Sequence, residues 1–181
     1  MKVTIAGTPG SGKSTAAREV ARHLGYRHYS AGDFMRQIAK KRGMTLLELS
    51  HVAEKDYGKI DKQLDDMQVL LNKKDKFVID SRLGFHFIPG SFRVFLTCND
   101  REAARRIFSH LREEEKENSS LAQTLANIRR RKASEKLRYK KYYDIDIEDT
   151  SNFDLIVDTT RNSPEETTEK ILKAIKVITR R

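Results

Sequence analysis

Residues 7–14 read Gly-Thr-Pro-Gly-Ser-Gly-Lys-Ser and match the pattern G-x-x-x-x-G-K-[ST] without a mismatch. The chemistry this spacing offers is a grip on a polyphosphate. Gly7, Gly10 and Gly12 permit the positive backbone angles that turn successive N–H groups inward, and Thr8, Pro9 and Ser11 complete the loop between them. A helix starting near Lys13 adds its N-terminal N–H groups to the same anion. Lys13 is spaced to reach the β- and γ-phosphates, Ser14 to place its hydroxyl on Mg²⁺, and Thr15 lies at the junction of loop and helix. A chance match in a chain of this composition has a probability of roughly half a percent. The apolar strand before the loop and the helix after it separate it further from an ordinary glycine-rich turn. The expected ligand is a nucleoside triphosphate, ATP or GTP, with Mg²⁺.

Other residues suit a second phosphate. Arg36 follows the second strand candidate in "SAGDFMR", and Arg82 follows the third in "FVIDSR". Arg131, Glu135 and Arg138 are spaced i, i+4, i+7 and share one helix face. Two guanidinium groups on that face suit a clamp on transferring oxygens, because each planar fork gives two hydrogen bonds to phosphate. An exposed salt-bridge ladder is the competing account, and the phosphate loop favours the clamp. Asp80 closes an apolar strand, where a lone acid belongs beside Mg²⁺ and its water shell. Asp61, Asp65 and Gln68 also share a helix face and carry groups suited to a base edge, but a solvated face is the favoured reading for them.

These residues need elements to hold them. "KVTIAG", "YRHYS", "KFVID", "FRVFLTC" and "FDLIVDT" read as five strands alternating with helices, which argues a parallel sheet covered on both faces. Helices are expected at Lys13–Leu24, over "AGDFMRQIAKKRG", "TLLELSHVAEK" and "IDKQLDDMQVLLNKK", from Asn99 through Asn118, over Leu121–Tyr143, and from Pro164 onward with Ser163 as cap. Several helices fall between the second and third strands, at about 31–74, and again between the fourth and fifth, at about 108–143. Right-handed crossovers place both insertions over the C-terminal edge of the strands, where open α/β sheets bind ligands.

The bulk composition fits this scheme. A chain of 181 residues, 38% hydrophobic and 34% charged, reads as one soluble domain. No apolar run approaches the ~20 residues of a membrane span. The N-terminus reads as a strand rather than a leader peptide. The single cysteine, Cys98, forms no internal disulfide and suits a reducing compartment, so the cytoplasm is the expected location. A net charge of +10 implies attraction to polyanions, with eight basic residues and one acid between positions 129 and 141.

The segments "GTPGSGKST", "YSAGDFMRQIAKKRGMTLLELS", "DKQLDDMQ", "VIDSRLGF", "RKASEKLRYKKYYDIDIED" and "FDLIVDTT" resemble the nucleoside monophosphate kinases of the P-loop superfamily, above all the short, archaeal-type cytidylate kinases. The resemblance spans nearly the whole chain, and the R-x-x-x-E-x-x-R-Y-x-x-Y-Y-D-I-D run is its most specific part. It implies a P-loop kinase core with helical acceptor-binding and lid inserts, and transfer of the γ-phosphate of Mg·ATP to CMP or dCMP. It further implies Arg36, Arg82 and Arg138 on the acceptor phosphate, Arg131 in the lid, and Ser30 or Glu135 near the acceptor ribose. Asp33 would belong to the network around acceptor and metal, and "TTRNSPEE" would hold the donor adenine. The chain departs from the family pattern at Ser81, commonly Gly, and at Leu83, where bacterial-type relatives have a cytosine-reading aspartate.

The rival readings are an adenylate kinase or other small-molecule kinase and, in a different class, a nucleic-acid-binding ATPase. The chain lacks the D-G-F-P-R run and the R-x-D-D lid pattern of adenylate kinases, and no N-K-x-D segment directly follows a later strand, where switch GTPases carry it. A basic kinase lid accounts for the charge without nucleic acid, so no nucleic acid or membrane partner is expected and a monomer is the expected state.

Overall fold

The computed structural model describes residues 1–110, 115 and 117–179. Five strands, β1 (Lys2–Gly7), β2 (Arg27–Ser30), β3 (Phe77–Asp80), β4 (Phe92–Thr97) and β5 (Leu155–Asp158), form one sheet in the order β2-β3-β1-β4-β5. Every neighbouring pair is parallel. Residues 3–7 and the whole of β3 are buried without alternation, as strands covered on both faces must be.

Helix α1 (Lys13–Leu24) turns Ala16, Ala17, Val20 and Ala21 to the sheet, and α8 (Pro164–Thr179) adds Ile171 and Ile175. With Val3, Ile5, Val94, Leu96 and Val157 these form the largest apolar cluster. The other face carries Phe77, Ile79, Leu71 and Ile88. The expected helix start at Ser163 is present as a reciprocal cap: its hydroxyl accepts from the Glu166 N–H, and the Glu166 carboxylate accepts from the Ser163 N–H.

Both insertions lie where the crossovers require. Between β2 and β3 run α2 (Ala31–Lys41), α3 (Leu46–Lys55) and α4 (Lys59–Asn72), around their own core of Ile38, Ala39, Leu49, Ala53 and Ile60. Between β4 and β5 run α6 (Asp100–Ser109) and α7 (Leu121–Tyr143), joined by Ala103, Ala104 and Ile128. Two differences from the sequence reading concern helix ends. The helix expected through Asn118 stops at Ser109, with His110 leaving the helical region at φ −134° and ψ 51°; residues 111–114 and 116 lie outside the described residues. A short helix, α5 (Gly84–Phe87), interrupts the link from β3 to β4, too brief for apolar periodicity to reveal.

Candidate active site

The phosphate loop joins β1 to α1 and owes its path to two glycines. Gly7 has φ 145°, and a Cβ there would stand 2.1 Å from the Leu96 carbonyl oxygen, the same atom that accepts the Thr8 N–H at 3.1 Å. At Gly10 a Cβ would meet the Ala103 backbone at 2.7 Å. The loop curls around the Thr8 carbonyl, which accepts from the Ser11 N–H at 3.3 Å, the Ser11 hydroxyl at 2.8 Å and the Lys13 ammonium at 2.7 Å. Lys13 is intermediate in surface exposure, yet its ammonium is crowded by protein. That desolvation, followed by the charge of Arg82, holds it well below the ordinary lysine range.

Asp80 ends β3 beside the loop and is nearly buried, at 4% exposure. One carboxylate oxygen accepts from Ser14 at 2.7 Å and Ser30 at 2.9 Å, and the other lies 2.8 Å from His28 Nε2. His28 escaped the sequence reading. Its signal was the two-residue period of β2, which turns His28 and Ser30 to the same side. Ser30 also caps α2 by accepting the Asp33 N–H at 3.1 Å.

The arginines converge from separate elements. The Arg82 guanidinium donates to Glu135 on α7 and to the Gly7 carbonyl oxygen, tying α7 to the loop. Glu135 is 8% exposed. Burial pushes its carboxyl up, and the charges of Arg82, Arg131 and Arg138 outweigh that and leave it below the ordinary value. Glu135 is therefore the hub of an arginine cluster and not a rung of a surface ladder. Arg131 lies 3.9 Å from Glu115 and keeps a buried Nε with no hydrogen-bond partner among the described residues. Arg138, 2% exposed, donates to Asp61 at 2.9 Å, to Ser134 at 2.8 Å and to the Ser50 carbonyl at 3.3 Å. Arg36 is paired with Asp33.

A single cleft of about 1120 Å³ runs past these groups. Loop residues 9–15, Arg36, Asp80, Arg82, Arg131, Glu135 and Arg138 line it, as does the segment 159–164 after β5. Ser30 and Asp33 do not line it; they hold Asp80 and Arg36, respectively. The solvated-face reading of α4 is corrected: Asp61 and Gln68 are each 2% exposed and line the cleft together with Asp65. The i, i+4, i+7 spacing was visible, but the partners of this face come from distant parts of the chain, Arg138 and Tyr143 on α7 and Ser81 after β3.

The residues fit a bound Mg·nucleotide. The Nε of Arg131, unpartnered among the described residues, and the crowded ammonium of Lys13 both line the cleft and suit a polyanion. Ser14 and Asp80 offer a pair of hard oxygens suited to Mg²⁺. Among the described residues no group of three or more His, Cys, Asp or Glu is placed to hold a metal ion, so a cation held by Ser14 and Asp80 would need further oxygen ligands from outside the protein.

Known proteins match this arrangement. Solved structures with the same fold include an uncharacterized protein from Eubacterium ventriosum (TM-score 0.70, 17% identity, 97% of this chain and 98% of that one) and the shikimate kinase of Acinetobacter baumannii (TM-score 0.61, 17% identity, 97% and 93%). A family model described as an AAA domain matches residues 3–148. The cytidylate kinase of Methanothrix thermoacetophila is 38% identical over 98% of this chain and 99% of its own length. Those of Natronomonas pharaonis (41%, 91% and 84%) and Archaeoglobus fulgidus (37%, 98% and 96%) are similar as well. Full-length identity at this level, on a P-loop core with both helical inserts, means that the chain belongs to the cytidylate kinase family.

Proposed function

We propose that the protein transfers the γ-phosphate of Mg·ATP to CMP or dCMP, giving ADP and CDP or dCDP. One observation carries this reading beyond family membership. Lys13 of the phosphate loop and the arginines Arg36, Arg82, Arg131 and Arg138 line one continuous cleft. That is more cation than one triphosphate requires, and it suits two phosphorylated molecules held end to end.

The loop N–H groups and Lys13 hold the β- and γ-phosphates of ATP, and residues 159–164 face its adenine. Ser14 and Asp80 would hold Mg²⁺, which would supply charge neutralisation on the transferring phosphate. Arg36, Arg82 and Arg138 hold the acceptor phosphate, and Arg131 closes over the moving group. An oxygen of the acceptor phosphate attacks the γ-phosphorus in line as the bond to the β,γ-bridging oxygen breaks, and the electron pair leaves on ADP. The acceptor phosphate is already ionised near neutral pH, so no general base is needed. Catalysis then rests on alignment and on charges fixed before the reaction begins. Glu135 bonds Arg82 and offsets the charges of Arg131 and Arg138 beside it. One chain supplies both the phosphate loop and the arginine cluster to the cleft, which suits a monomer, and a basic kinase lid accounts for the charge without nucleic acid. Among the described residues no helix is long and apolar enough to cross a membrane.

The test is product balance. Incubation with Mg·ATP and CMP, followed by chromatography, is expected to give CDP and ADP in equal amounts with almost no free phosphate. ADP with free phosphate and no CDP, stimulated by RNA in a salt-dependent way, would establish the ATPase reading instead.

A further inference from the structure

We propose that Asp65 on α4 reads the 4-amino group of the acceptor cytosine and is the residue that separates CMP from UMP. This rests on the cytidylate kinase reading above and adds to it the identity of the base contact.

The α4 face presents Asp61, Leu64, Asp65 and Gln68 to the cleft. Two of its three polar groups are already committed. Asp61 is paired with Arg138 at 2.9 Å, and the Gln68 side-chain oxygen accepts from the Ser81 hydroxyl at 2.5 Å. Asp65 differs. Its Oδ2 accepts from the Tyr143 hydroxyl at 2.6 Å, while Oδ1 has no hydrogen bond among the described residues. The carboxylate is thus held by one oxygen and offers the other to the cleft.

Its position suits a base. Asp65 lies one turn of α4, ~6 Å, beyond Asp61, the partner of the acceptor-side Arg138. Met35, Leu46, Leu64 and Tyr139 line the same cleft and provide apolar surface for a flat ring. Tyr143 is itself braced edge-on against Phe87, with the ring centroids 5.7 Å apart, so the hydroxyl that orients Asp65 is fixed.

The chemistry then selects the pyrimidine. Cytosine carries an N–H donor on the exocyclic group at C4, whereas uracil carries an acceptor oxygen there. A carboxylate oxygen accepts from the first and opposes the second. A buried acceptor left facing another acceptor loses its hydrogen bond outright, and sites built to pair a polar group reject the mismatched analogue strongly. Replacement by Asn keeps the shape. With the Tyr143 hydroxyl still donating to the side-chain oxygen, the amide N–H₂ is left facing the base and pairs with the uracil oxygen.

The test is the ratio of kcat/KM for CMP to that for UMP, which is independent of the fraction of active enzyme. Asp65→Asn is expected to lower the ratio at least tenfold, and Asp65→Glu to keep CMP preferred. On the wild-type enzyme, the monophosphate of the 4-deamino analogue of cytidine, which lacks the amino group and adds no bulk, is expected to lose at least tenfold against CMP. That penalty is expected to shrink toward unity in Asp65→Asn. A ratio unchanged within twofold in Asp65→Asn, or a 4-deamino analogue phosphorylated as well as CMP by the wild type, overturns the assignment. A wild-type enzyme without CMP activity would instead overturn the kinase reading on which it rests.

Discussion

The most exposed claim at the scale of single residues concerns Lys13. Its ammonium is desolvated and crowded by Arg82 before any substrate arrives, and a polyphosphate is the group that restores its charge balance. Losing one such positioned cation costs a reaction about 10²–10³-fold in kcat. Lys13→Ala is expected to lose at least that much, with an unchanged circular dichroism spectrum; wild-type turnover in the folded variant would remove Lys13 from the mechanism. Asp65 makes a prediction about pH. Burial pushes its carboxyl up to about 6, against an ordinary value near 4, with Asp61, Asp66 and Lys62 on its own helix and Tyr143 on α7 as its titratable neighbours. Between those values the folded chain binds more protons at Asp65 than the unfolded chain does, so this residue makes stability fall as pH rises through about 4 to 6, and the loss persists above. Asp65→Asn is therefore expected to raise the melting temperature relative to wild type more at pH 7.5 than at pH 4.5. An equal difference at both values would show that Asp65 does not carry the burial cost assigned to it.

At the scale of elements, α7 is the part on which the site depends. Its Glu135 meets Arg82 after β3, its Arg138 meets Asp61 on α4 and Ser50 on α3, and its Tyr143 meets Asp65. Removing one partner of a buried ion pair costs about 3–5 kcal/mol, because the other charge is left uncompensated. Asp61→Ala is thus expected to destabilise the chain by several kcal/mol in urea unfolding, whereas Asp66→Ala, which breaks an exposed pair with Lys62, should change it by under ~1 kcal/mol. Equal effects would mean that α7 is not pinned through Asp61. Much of this scale was legible beforehand. Strand runs, the start of α1 at Lys13, the cap at Ser163 and the whole of α7 follow from local patterns. The burial of Asp61 and Gln68 does not, because a helix with acids at i, i+4 looks solvated until Arg138, 77 residues away, pairs with Asp61 and Ser81 bonds Gln68. His28 was hidden for a similar reason: its partner Asp80 is brought beside it by the β2–β3 pairing. The short α5 carries too few residues to show a period, and α6 ends at Ser109 without a glycine or proline to announce it.

At the scale of the molecule, the sheet order sets everything else. The C-terminal ends of β1, β2, β3 and β5 deliver the phosphate loop, Ser30, Asp80 and Thr159 to one edge, and the two inserts wall the cleft above it. Basic side chains outnumber acidic ones in the lining of that cleft, a balance that favours two polyanions which would otherwise repel each other. The base at the acceptor end is what separates this molecule from kinases sharing its fold. The most direct test of that claim is a coupled assay of ADP release with Mg·ATP and, in turn, CMP, dCMP, UMP, AMP and GMP. CMP and dCMP are expected to give the highest kcat/KM by at least tenfold, and a preference for AMP, or activity with none of the five, would contradict it.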